Sequence, residues 1–391
     1  MTGVTMAPEA PGALLSPVAE PASIYEVLVA ISCPDRSLDP RVLSDIDWEG
    51  LLACARHHSL LPLLAHRLLE LRDSALLPAD TPARLRTEFQ ENLFRNITLL
   101  EHIKDVLAAW RDSDISGIPY KGPVMAEQLW GSVALRECSD IDFLVRRQDV
   151  DRAGEVLVRL GYERVAPVAR GLRPVLVRDA SEEQFRHTQS NILLELQWAP
   201  APRTLAVRYD EEQLWRDIKL SAIAGELMTT PTPENLMGLL AIHGWKHNWS
   251  KLIWVADLAR LVRKTNIEWD LVERSALRSG WHRILVLGVE MVRRVYAVDG
   301  PLKADAGVAT LAQELEDNLR AGANHTYINW HRQMLRARDS VPDQLKQLCN
   351  FIVTPGLGEY AAARLPGWAA AGYLLVRVAR VLRFWPEKAF E

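Results

Sequence analysis

The sequence predicts an α+β protein, with a compact strand–helix block set between two helical regions. Three observations predict it. Helical periodicity runs from about Ile24 to Trp110, short β-prone runs alternate with helices over roughly 112–205, and helical periodicity returns from Glu211. Apolar residues at three- and four-residue spacing mark one face of a helix, whereas β-branched runs bounded by Gly and Pro mark strands. The expected organisation is a leader over 1–23, an N-terminal helical region over 24–111, a core over 112–210 and a C-terminal helical domain over 211–391.

The leader holds four prolines among many Ala and Gly. It reads as disordered, because such a segment cannot bury enough apolar surface to offset the entropy of ordering. "WEGLLACARHHSLLPLLAHRLLEL" and "TPARLRTEFQENLFRNITLLEHIKDVLAAW" supply the first helices, the second opened by Thr81-Pro82. Then "DISGIPYKG" reads as a strand, "PVMAEQLWG" as a short helix, "SDIDFLVRR" as a strand and "DVDRAGEVLVRLGYE" as a helix stopped at Gly161. "GLRPVLVR" and "NILLELQW" read as further strands. "TPENLMGLLAIHGWKHNW" and "KLIWVADLARLVRK" resume the helices.

Of 391 residues, 48% are apolar and 25% charged, and the net charge is −4. This is an ordinary globular composition, with no global basic field to hold a long nucleic acid or an anionic membrane. The cysteines Cys33, Cys54, Cys138 and Cys349 form no CxxC, which excludes a zinc ribbon and fits a reducing cytoplasm. "WAAAGYLLVRVARVLRFW" carries three arginines and reads as an amphipathic helix, not a stable membrane span.

The chemistry starts at "SDIDFLV". In a strand, alternate side chains share a face, so Asp140 and Asp142 lie together while Ile141, Phe143 and Val145 face the core. Two carboxylates side by side repel unless a cation sits between them, and an all-oxygen set favours Mg²⁺ or Mn²⁺. In "NILLELQW", Glu195 lies opposite Leu194, Leu196 and Trp198, and a lone Glu in an apolar strand is costly to bury without a partner. Beside the aspartate pair it would be a third metal ligand of a two-metal phosphoryl-transfer site.

"YKGPVMAEQ" offers a strand turning into a helix at Gly122, where Lys121 and the helix N-terminus can meet a phosphate. Arg136 and Ser139 flank the aspartates. In "HGWKH", His243 and His247 share a face with Lys246 beside them, and Gly244 stands where a zinc protease needs Glu. The structural reading of that motif is a hydrogen-bonded pair packed on tryptophans. The functional one sets His243, Lys246 and His247 over a nucleotide. Cys138 reads as a packing residue, and Trp245 and Trp249 as core, with a stacking platform for a base as the alternative for either tryptophan.

The run "GIPYKGPVMAEQLWGSVALRECSDIDFLV", with "GYE" at 161–163, "LELQW" at 194–198 and "TPENLMGLLAIHGWKHNWSKLIWVADLARL", resembles the uncharacterised nucleotidyltransferase family of the polymerase-β-like superfamily. The resemblance covers about 24–385. It implies a small mixed-sheet nucleotidyltransferase core flanked by helical regions. It also implies Asp140, Asp142 and Glu195 as catalytic metal ligands for Mg²⁺ or Mn²⁺. Lys121, Gly122, Arg136, Ser139, His243, Lys246 and His247 would bind an NTP. The sequence departs from the pattern in three places. The superfamily's Gly-Ser turn has lost its Ser, with Pro123 following Gly122. Gly131-Ser132 replaces Gly-Asp, and Gln197 stands where His is common, so a proton shuttle there is lost. The acceptor implied is a small molecule, peptide, RNA end or protein, including lasso-peptide or polysaccharide tailoring. The alternatives are a degenerate nucleotide- or partner-binding protein and a toxin-type enzyme acting on tRNA or protein.

Overall fold

A computed structural model describes residues 23–33, 38, 40–43, 46–71, 77–322, 327–356, 359 and 372–384. The leader lies outside them except for Ser23, which caps the first helix. The N-terminal helices are α1 (Ile24–Ser32), α2 (Trp48–His57), α3 (Leu61–Leu69) and α4 (Thr81–Asp112). Ser23 and Glu26 form a reciprocal capping box on α1, which satisfies two orphan amides.

The block that follows carries β1 (Gly117–Pro119), α5 (Gly122–Met125), β2 (Asp140–Val145), α6 (Val150–Arg159) and β3 (Tyr162–Arg164). Then come α7 (Arg173–Asp179), β4 (Glu182–His187), β5 (Leu193–Gln197) and α8 (Glu211–Arg216). A π-helical turn, Ala126–Trp130, extends α5. The strands form a five-stranded mixed sheet in the order β1-β2-β5-β4-β3, in which β2 and β5 are parallel and the other pairs antiparallel.

Three readings of the sequence are corrected here. "GLRPVLVR" is not a strand. It forms a short turn and then α7, because Pro174 sits in the first turn, where its missing N–H costs nothing. "EEQFRH" forms β4, which the alternation rule passed over because only Phe185 is apolar. The return to helix at Glu211 is interrupted by a hairpin, β6 (Ile218–Ile223) and β7 (Glu226–Pro231). Its two-residue turn, Ala224-Gly225, holds both residues at positive φ (48° and 83°), the turn type that matches strand twist.

The remaining helices are α9 (Pro233–Lys246), α10 (Leu252–Lys264), α11 (Trp269–Ser279), α12 (His282–Tyr296), α13 (Ala306–Ala321), α14 (Tyr327–Arg336) and α15 (Val341–Val353), with a last helix at Gly372–Phe384. That last helix lies within the stretch expected to be amphipathic, and Tyr373 buries against Leu172. Among the described residues no helix is long and apolar enough to cross a membrane.

Two cores meet at the sheet. One face of β2, β4 and β5 (Ile141, Phe143, Val145, Phe185, Leu194, Leu196, Trp198) packs on α4 and α6, with Trp110 edge-on to Phe143 at 4.7 Å between ring centres. The other core joins α1–α3 to α9, α10, α12 and α13 in one cluster. It reaches the sheet through Ile118, Tyr120 and Leu144. The helices from both ends of the chain therefore close over the same side of the strands.

Candidate active site

The parallel pairing of β2 with β5 sets Asp142 directly beside Glu195, and β4 sets Gln184 beside Glu195 and Glu182 beside Gln197. Asp140, Asp142, Glu182, Gln184, Glu195 and Gln197 thus share the face opposite the apolar core. The neighbour that the sequence reading required for Glu195 is present. Glu182 and Gln184 come from the strand that the sequence reading passed over.

Lys121 at the end of the β1 segment donates from Nζ to Asp142 Oδ1 at 2.7 Å, with side chains only 10% and 5% exposed. Burial opposes the lysine's charge, but Asp142 outweighs it and holds the ammonium above its ordinary pKa. Gly122 follows at φ +56°, and a Cβ there would meet the Asp140 carbonyl at 3.2 Å. Glycine is needed at this position both for its left-handed backbone and for close approach to β2. Ser139 donates from Oγ to Asp140 Oδ1 at 3.2 Å.

The acids outnumber the cations that meet them. Desolvation, then Asp142, raises Asp140 to about 6. Desolvation, then Glu182 and Asp142, raises Glu195 to about 7. From the helical side, Lys246 of α9 approaches Glu182 Oε2 at 3.6 Å. An all-oxygen donor set with surplus negative charge fits a hard divalent cation. In the structure as it stands, no three Asp, Glu, His or Cys side chains among the described residues converge on one ion position. Asp142 Oδ1 instead meets Lys121 and Gln197 Nε2, the latter at 2.8 Å.

Arg136 does not aim at the acidic face as a free phosphate ligand. Its guanidinium is buried and bound to Asp257 of α10 at 3.0 Å, and Trp130 Nε1 donates to the same carboxylate at 2.8 Å. This ties the loop before β2 to the helical layer. Asn92 and Asn96 of α4 hold the same loop by donating to the carbonyls of Val133, Ala134 and Arg136. Sequence alone gave no signal for those asparagines beyond polar residues on a long helix.

His243 and His247 lie on one face of α9, ring centres 4.8 Å apart, both against Trp254. Desolvation, then Lys121, His247 and Lys246, holds His243 well below its ordinary pKa. Its buried Nδ1 has no hydrogen-bond partner among the described residues. His247 is more exposed as a residue, and desolvation, then Lys246 and Lys121, lowers it too. Both are therefore neutral at pH 7, and Lys246 supplies the positive charge of the motif. Gly244 is set by packing, since a Cβ there would lie 2.5 Å from the Trp249 ring. Trp245 and Trp249 are core residues, 1% and 0% exposed. Cys138 is buried, and burial pushes its thiol up to about 12, which leaves no thiolate for catalysis. Lys251 donates to Ser59 Oγ at 3.1 Å. A cavity of about 420 Å³ lies near the C-terminal ends of β2 and β5, lined by Trp198, Tyr209 and Trp215, and contains none of the carboxylates.

The mixed sheet between helical regions is the fold that the sequence resemblance implied, and it carries these acids beside the Lys121-Gly122 junction. The family model described as uncharacterised nucleotidyltransferase matches residues 44–297. The chain belongs to this family. Membership in the uncharacterised nucleotidyltransferases supports nucleotidyl transfer as a general activity and implies an NTP substrate. The match includes the whole acidic face, the Lys121-Gly122 junction and the HGWKH helix. No curated protein and no solved structure matches the chain significantly.

Proposed function

We propose that this nucleotidyltransferase moves a nucleoside monophosphate from an NTP to an acceptor hydroxyl or amine and releases pyrophosphate. Asp140, Asp142 and Glu195 would hold Mg²⁺ or Mn²⁺. Such ions, when bound, neutralise phosphate charge and lower the pKa of an attacking hydroxyl. The observation that carries this reading is the in-register pairing of Asp142 with Glu195 on parallel strands, with Asp140 on the same face. Lys121 and Lys246 bring positive charge to that face from opposite sides, and both suit the phosphates of the NTP. Ser139 and Gly122 shape the approach to Asp140. Neutral His243 and His247 can orient the nucleotide by hydrogen bonds, without adding charge. Arg136 acts at one remove, by fixing the loop that enters β2 through Asp257.

The acceptor class is a small molecule, peptide, RNA end or protein, with tailoring of a lasso-type peptide or a polysaccharide as the context the resemblance suggests. A toxin-type activity on tRNA or protein uses the same chemistry, and growth arrest on expression would single it out. One observation favours a second reading, a nucleotide-binding protein that transfers nothing. Protein donors already engage both oxygens of Glu195 and one of Asp142. Each labelled NTP, offered with Mg²⁺ and host lysate to wild type and to Asp140→Asn/Asp142→Asn, separates the two. Transfer lost in the double variant supports the enzyme. Nucleotide bound equally by both proteins, with no label moved by either, supports the binder.

A further inference from the structure

Gln197, one of the departures from the family pattern, is the best-connected side chain on the acidic face. Tyr120, buried at the end of the β1 segment, donates its hydroxyl to Gln197 Oε1 at 2.5 Å. The Asp142 and Glu195 carboxylates at the other end fix which end of the amide is nitrogen, because carboxylates only accept, and the Tyr120 hydroxyl then serves the oxygen. Gln197 Nε2 then donates to Asp142 Oδ1 and to Glu195 Oε2, both at 2.8 Å. Gln184 of β4 donates to the other oxygen of Glu195 at 3.0 Å. Glu195 is thus held from both sides by amides. Asp142 is held on one oxygen only, and its Oδ2 has no protein donor among the described residues.

Gln197 is 1% exposed, so each of its bonds is made out of water, where a misdirected amide would leave buried donors unpaired. An amide at this position has a second consequence. It supplies two donors without a charge, so it orders the acids without neutralising them. Among the described residues, Lys121 remains the one cation in contact with Asp142.

We propose that Gln197, braced at its oxygen by Tyr120, is a positioning residue that aligns Asp142 and Glu195 for a divalent cation by neutral hydrogen bonding. This rests on the metal-dependent reading above. Outer residues that hold metal ligands in place affect metal affinity without touching the ion. A purely structural role would change thermal stability and leave ion affinity alone.

The test is Mn²⁺ binding to the free protein, without nucleotide, followed by electron paramagnetic resonance, with thermal midpoints recorded for every variant. Gln197→Leu keeps the volume and removes the donors, and is expected to weaken Mn²⁺ about tenfold or more. Tyr120→Phe removes only the hydroxyl that braces Gln197 Oε1 and is expected to weaken it about fivefold, the worth of one hydrogen bond. If Gln197→Leu fails to fold, Tyr120→Phe decides. Mn²⁺ affinity within twofold of wild type in the folded variants overturns the proposal. Asp140→Asn/Asp142→Asn separates the two levels. If wild type shows no Mn²⁺ binding that this double variant removes, the metal-dependent reading fails and the proposal falls with it. If the double variant loses Mn²⁺ while Gln197→Leu and Tyr120→Phe retain it, only the positioning role fails.

Discussion

The two faces of one sheet answer opposite demands. On the face toward α4 and α6, Ile141, Phe143, Leu194 and Leu196 are wholly buried among apolar side chains. On the other, Asp140, Asp142, Glu182 and Glu195 gather more negative charge than Lys121 and Lys246 offset, and burial raises Asp140 and Glu195 above their ordinary pKa values. The residues alternate along the same few strand positions. The difference teaches that the apolar face contributes stability, which the acidic face spends on a charge arrangement useful only when a cation and phosphates arrive.

Single substitutions can break that contrast in either direction. The largest effect is expected on activity. Asp140→Asn should lower nucleotidyl transfer by about a thousandfold, the upper range for a group that stabilises transition-state charge. It should not lower the thermal midpoint, because it relieves repulsion from Asp142. Across the strand, Phe143→Ala should do the reverse. It should cost about 3–5 kcal/mol in denaturant unfolding, as large-to-small core changes do. Its folded fraction should bind Mn²⁺ as wild type does.

Asp257→Asn sharpens the comparison at the link between layers. It leaves Arg136 buried without its carboxylate, and breaking such a pair costs about 3 kcal/mol. Asp257 is 1% exposed, so solvent does little to compensate. The loss should appear in urea midpoints, with a smaller decline in transfer through the loop that feeds β2.

The smallest effect concerns pH. His58 is buried, and its Nδ1 accepts the Leu252 amide at the start of α10. Desolvation, then His57 and Lys251, lowers it to about 4. The unfolded chain therefore binds a proton more readily than the folded one. This contribution is complete above about pH 6.5 and declines as pH falls toward 4, by about 1–3 kcal/mol. A urea midpoint series from pH 7.5 to 4.5 should fall less steeply in His58→Gln than in wild type.

Much of this was legible in the sequence. Period-two alternation alone separates Asp140 and Asp142 from Ile141 and Phe143, and isolates Glu195 among leucines. The strand neighbours were not legible, because register is fixed by pairing and not by either strand alone. β4 escaped because its buried Glu183 is compensated by Arg164 and Arg173, partners that no local window contains. Arg136 looked like a phosphate ligand because its partner Asp257 lies 121 positions away. Gln197 looked like a loss relative to His, and only its contacts with Tyr120, Asp142 and Glu195 show what its amide meets.

The most direct measurement of the central claim is calorimetric binding of each NTP, with Mg²⁺ and with chelator, to wild type and to Asp140→Asn/Asp142→Asn. It needs no acceptor. The acidic face predicts NTP binding that depends on Mg²⁺ in wild type and loses that dependence in the double variant. Identical binding by both proteins, with and without Mg²⁺, would contradict it.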